Sequence, residues 1–110
     1  KSGRLRGLGI ATLKRSPFLP ELPTIAESGY TGFEAVGWIG IAAPAKTPVA
    51  ILNKLNAEMV RILGDADVKE KLNTLAFTPV GDTREQFAAY IKTEIAKWGA
   101  AVKASGAKAD

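Results

Sequence analysis

Three prolines stand three residues apart in "KRSPFLPELP", at Pro17, Pro20 and Pro23. Each removes a backbone donor and pushes the residue before it out of the helical region, so Lys14 to Pro23 can be neither helix nor central strand. The segment reads as a stiff extended connector, and the rest of the chain is organised around it. Directly after it, "TIAE" sets Thr24 and Glu27 at the spacing of a capping box, and Gly29 offers a left-handed stop. One helical turn is expected there.

Before the connector, "LRGLGIAT" over Leu5–Thr12 reads as a short strand, with Gly7 and Gly9 allowing another backbone to approach. After it, Phe33–Ala43 is apolar and glycine-rich, with Glu34 its one charge. Poor alternation implies burial on both faces, as in a central strand of an α/β sheet. Helical periodicity follows. Thr47 is the expected cap and Pro48 the first helical residue, with Ile51, Leu52, Leu55, Met59, Ile62 and Leu63 as the stripe and Gly64 as the end. Asp65 caps a second helix bearing Val68, Leu72 and Leu75. "LAFTPVGD" reads as a short edge strand, because Pro79 excludes a central one. A last helix opens on Asp82 and Glu85 as a capping box, carries Phe87, Tyr90, Ile91, Glu94 or Ile95, Trp98 and Val102, and ends at Gly106. The order is strand, connector, strand, two helices, short strand, long helix. That is α/β, with too few strands to cover the stripe of the last helix. A partner chain, or more of this one, is expected to cover it.

Composition removes several kinds of chemistry. Cysteine and histidine are both absent, which excludes disulfides, Cys/His zinc sites, thiol nucleophiles and histidine-based triads. Glu27 and Glu34 are the one imaginable carboxylate pair, but nothing in the sequence places them together and the capping box already uses Glu27. The residues therefore give a hydrolase no support; no catalytic residue and no metal site are assigned, and the expectation of no enzyme and no cofactor comes from the family resemblance that follows. The net charge is +4, and Lys1, Arg4, Arg6, Lys14 and Arg15 precede any acid. No aromatic residue interleaves them before Phe18, so they read as solvated basic ends and not as a nucleic-acid surface. Gly3, Gly7 and Gly9 make no dinucleotide fingerprint, because Thr12 stands where the third glycine belongs. The longest uncharged run, Ala35–Ala45, is too short to span a bilayer. The chain opens at Lys1 without a methionine, which points to a mature or truncated product.

"GRLRGLGIAT", "LPELPTIAESGY" and the strand exit at Trp38, Gly40, Ala43 and Pro44, followed by "LNAEMVRILGDADVKEKL" and "FTPVGDTREQFAAYIKTEIAKWGAAVKASG", resemble one family. It is the Bug-type (Bordetella uptake gene) periplasmic solute-binding proteins of tripartite tricarboxylate transporters, and the likeness is to their C-terminal portion. The resemblance implies a type II periplasmic-binding fold, in which two α/β lobes joined by crossing strands enclose the ligand. In that reading residues 1–32 hold a second-lobe strand and the proline-rich connector. Residues 33–45 are the hinge-crossing strand, and residues 46–110 are C-terminal helices that pack on the first lobe. The family's N-terminal glycine-rich loop, which helps to hold a carboxylate, lies outside this chain.

The implied function is capture of a small carboxylate or amino acid for membrane permease subunits, in the periplasm and without chemistry on the ligand. Two residues are the candidate ligand contacts. Thr12 ends the first strand, where α/β sheets place ligands, and its hydroxyl is suited either to a carboxylate or to capping the turn before Lys14. Trp38 is suited either to closing over the ligand or to the core of its strand. The alternative reading is a small α/β protein-interaction module that uses its apolar helix stripes. Those stripes also lead us to expect self-association or domain swapping of the chain.

Overall fold

The computed structural model describes residues 4–108 and divides them into two compact units, with the boundary between Ala42 and Ala43. In the first unit the expected connector is present, but it is turned and not extended. Leu19 N–H donates to the Ser16 carbonyl (3.2 Å) and Leu22 N–H to the Leu19 carbonyl (3.1 Å). Pro17 and Pro20 thus each occupy the second position of a four-residue turn, the place where a fixed φ near −65° helps most. These turns fold the chain back so that Ile10 and Thr24 pair as a parallel bridge. Ile10 N–H donates to Pro23 (3.0 Å), and Ile25 N–H donates to Ile10 (2.9 Å). The Leu22 side chain lies over Gly7, where an added Cβ would come within 2.7 Å of its Cδ1. A further turn ends at Phe33, whose N–H donates to Tyr30 (2.9 Å), with Gly32 at φ +78° as its third residue. That is the type II position glycine fills without strain.

The predicted strands Leu5–Thr12, Phe33–Ala43 and "LAFTPVGD" form no ladder: among the described residues there is one bridge, at Ile10, and these three stretches are otherwise extended or turned. An extended run becomes a strand only when a neighbour takes its backbone groups. Ile10 finds that neighbour in Pro23 and Ile25, and Ala11 accepts one bond from the Ala35 N–H (2.9 Å).

The second unit contains α1 (Val49–Gly64), α2 (Ala66–Thr74) and α3 (Arg84–Ser105). Pro48, and not Thr47, is the N-cap of α1, and no side chain caps it. The less exposed positions of α1 are Leu52, Asn56, Met59 and Leu63, whereas Ile51, Leu55 and Ile62 of the predicted stripe are exposed. Two helical rows were present in that stripe, and one of them packs. Asn56 Nδ2 donates to the Asp82 carbonyl (3.0 Å), Arg84 Nη1 to Asn53 Oδ1 (2.5 Å), and Val60 lies against Gly81. These contacts hold the segment before α3 to α1, so "LAFTPVGD" is bound by side chains and not by a strand partner.

Asp65 caps α2 as expected, accepting from the Asp67 N–H (3.0 Å). Its far end is a Schellman motif: Phe77 N–H returns to Leu72 (2.9 Å) and Ala76 N–H to Asn73 (3.0 Å). Ala76 therefore takes φ +59°, in the left-handed region that disfavours a Cβ. Ala76→Gly is expected to stabilise the protein by about 1 kcal/mol, read as a higher urea midpoint at unchanged slope. An unchanged or lower midpoint would count against the motif.

For α3 the capping box is Thr83 with Gln86, one residue beyond the expected Asp82 and Glu85: Gln86 N–H donates to Thr83 Oγ1 (3.2 Å) and Thr83 N–H to Gln86 Oε1 (2.9 Å). Both pairs carry the right spacing, but the Asp82 carbonyl is held by Asn56. Gly106 ends the helix in the left-handed conformation, as expected. Phe87, Tyr90 and Ile91 are half-buried and Glu94 is buried, while Ile95, at 68% exposure, points away. No apolar side chain among the described residues is fully withdrawn from solvent; Thr24 and Glu94 are the two buried side chains.

Candidate functional site

Thr24 organises the polar part of the first unit. It is completely buried, and the bridge to Ile10 runs through its flanking peptide groups. Its Oγ1 accepts from the Glu27 N–H (3.0 Å), while Glu27 Oε2 accepts from the Thr24 N–H (3.0 Å), so the capping box read from "TIAE" is formed in full. The turn it opens is a short one, with Ser28 N–H donating to Ile25 (3.1 Å) and Gly29 N–H to Ala26 (3.4 Å).

Arg15 is exposed, as expected of a solvent-facing cation, and it is also paired: Nε donates to Glu27 Oε2 (2.9 Å) and Oε1 (3.3 Å), and Nη1 to the Pro20 carbonyl (3.3 Å). The Thr24 N–H has the largest influence on the Glu27 carboxyl. Desolvation opposes it and Arg15 adds to it, and the net result holds Glu27 below its ordinary pKa.

Of the two candidate contacts, Thr12 is half-buried and its Oγ1 donates to the Lys14 carbonyl (2.6 Å), which is the turn-capping geometry. That bond uses the hydroxyl proton and leaves its lone pairs available. Trp38 is 44% exposed, within the extended segment that follows Ala35. The bond from Ala35 to Ala11 brings the two segments together one residue from Thr12 and three residues from Trp38. Two shallow surface depressions, one on α2 at Asp67–Thr74 and one between α1 and Pro79–Gly81, include neither residue.

A second polar cluster escaped the sequence reading. Glu94 is 4% exposed; its Oε2 accepts from Trp98 Nε1 (2.8 Å), its Oε1 pairs with Lys97 Nζ, and that ammonium lies 5.3 Å from the Trp98 ring centroid. The spacing of i, i+3 and i+4 was the available signal, since such residues share a helix face. Among the described residues no group of three His, Cys, Asp or Glu is arranged to hold a metal ion.

The sequence model of the tripartite tricarboxylate transporter family receptor matches residues 1–107. The chain is 42% identical over 96 residues to the UPF0065 protein in the tcbD-tcbE intergenic region of a Pseudomonas species, covering 86% of this chain and 29% of that protein. It is 37% identical over 108 residues to protein BugT of Bordetella pertussis, covering 98% and 33% respectively. The solved structure of R. palustris Rpa4515 with adipate superposes with a TM-score of 0.76 at 35% identity, over 90% of this chain and 33% of that one. The chain thus spans about a third of the length of these relatives.

Proposed function

The chain belongs to the tripartite tricarboxylate transporter receptor family, and from that premise we propose that it is the C-terminal part of a receptor that captures a small carboxylate and presents it to permease subunits. The family match, which runs through nearly every residue, carries this reading. The receptor works in the periplasm and does no chemistry on its ligand. Its fold is the two-lobed type II binding fold. Residues 1–32 contribute a strand and connector to one lobe, residues 33–45 cross the hinge, and residues 46–110 pack as helices on the other lobe. The small residues of the 33–45 segment suit a stretch that bends as the lobes close.

Thr12 and Trp38 are the ligand contacts in this reading. The bond joining their segments at Ala11 and Ala35 supports grouping them, and the accepting lone pairs of Thr12 suit a protonated or water-bridged carboxyl. The adipate held by the 35%-identical R. palustris protein directs the first trial toward dicarboxylates. Adipate, succinate and glutamate are to be compared by thermal shift. A recognised ligand at a hundred times its Kd raises stability by about 2.7 kcal/mol, which reads as a Tm several degrees higher. On the full-length protein, a melting curve that no small carboxylate moves would count against the receptor reading. The exposed row of Ile51, Leu55 and Ile62 on α1 favours the second reading, a module that docks a protein partner.

A further inference from the structure

The segment that carries Thr12 is tied to the following turn at both of its ends. At Ile10 the tie is the backbone pair to Pro23 and Ile25. At Arg15 it is the guanidinium, which meets Glu27 with one nitrogen and the Pro20 carbonyl with another. Glu27 Oε2 is shared: it receives the Arg15 Nε–H and also the N–H of Thr24, the residue the backbone bridge runs through. The two ties therefore converge on one buried residue, with Thr12 between them in sequence and its hydroxyl closing the bend onto Lys14.

We propose that Arg15 and Glu27 are positioning residues, a clamp that fixes the turn at Thr12 and thereby preorganises it for a ligand. The ligand half of this statement rests on the receptor reading above; the ordering half does not. A planar guanidinium suits the task because it serves two acceptors in fixed relative directions, which an ammonium cannot do with the same geometry. Fixing a binding turn before the ligand arrives removes an ordering cost from association. The pair is solvated, with side chains 49% and 45% exposed, so its effect is that of an exposed ion pair and is weakened by salt.

The test compares Arg15→Gln, Glu27→Gln and Arg15→Lys. Glutamine at position 27 keeps an oxygen for the Thr24 N–H while losing the charge, so it separates the clamp from the cap. Backbone amide order parameters at Thr12–Lys14 are measured by NMR, and adipate affinity by titration calorimetry. Both glutamine variants are expected to lower the order at Thr12–Lys14, to leave the Ile10 and Ile25 amides protected, and to weaken adipate binding by up to about fivefold, the upper end for an exposed pair. Arg15→Lys is expected to recover part of each effect, and 0.5 M salt to shrink the differences. Unchanged order at Thr12–Lys14 in both glutamine variants overturns the clamp. Lowered order with unaltered adipate affinity overturns its positioning role. If the unsubstituted protein does not bind adipate, the fault lies with the choice of ligand or with the receptor reading, and the order parameters alone decide the clamp.

Discussion

Lys97→Met is expected to destabilise the helical unit by about 3 kcal/mol, because it removes the ammonium paired with a carboxylate that the fold has withdrawn from water. Glu94 is the most deeply placed charged side chain among the described residues, and Lys97 neutralises it from the same face of α3. Methionine preserves the hydrocarbon stem and removes only the ammonium, so packing changes little. The Trp98 N–H still donates to Glu94, but a neutral donor does not replace the charge of the ammonium. The lysine is itself one-third exposed, so solvent screens the pair and the loss falls at the lower end of the range for broken buried pairs. The companion variant decides the interpretation. Glu94→Leu together with Lys97→Met leaves no buried charge and is expected to regain most of the stability. Urea unfolding followed by far-UV circular dichroism measures both. A single variant within 0.5 kcal/mol of the parent would show that groups other than Lys97 carry the Glu94 charge.

Thr24→Val is the second large effect, at about 1–2 kcal/mol. Valine has nearly the shape of threonine, and Thr24 is completely buried, so the substitution removes a buried hydroxyl and little else. The Glu27 N–H loses its acceptor, and half of the reciprocal cap is gone. The consequence reaches beyond the turn, since the peptide groups on both sides of Thr24 hold Ile10. Amide exchange at Ile10 and Ile25 should therefore accelerate together with Glu27. Thr24→Ser, which retains the acceptor, should preserve most of the protection. Equal exchange in the parent and valine proteins would mean that the cap contributes nothing to the bridge.

What was legible beforehand was local. The pairs Thr24/Glu27 and Asp65/Asp67, and the stop at Gly106, act within a few residues, and the structure forms each of them. Competition between two adequate local patterns misplaced the α3 cap by one residue, and the choice was made by Asn56, distant in sequence and across the unit. The predicted strands stay unpaired for a related reason: the β-branched and aromatic residues within Leu5–Thr12 and Phe33–Ala43 favour extension, but pairing needs a neighbour that the local pattern does not name. Arg15 and Glu27 lie twelve residues apart and meet only after the two proline turns have formed. In α3, the choice between Glu94 and Ile95 defied hydropathy, because the carboxylate is paired with Lys97 and hydrogen-bonded by Trp98. Thr12 and Trp38 rest on the family likeness more than on any pattern of their own.

The two proline turns have a consequence for the unfolded chain. Pro17, Pro20 and Pro23 hold their φ angles near the required value before any tertiary bond exists, so a denatured molecule has fewer conformers to surrender when Ile10 meets Thr24. A bridge supported by only two backbone hydrogen bonds can therefore persist: much of the entropy that would oppose ring closure was already spent when the imino acids were built into the polymer.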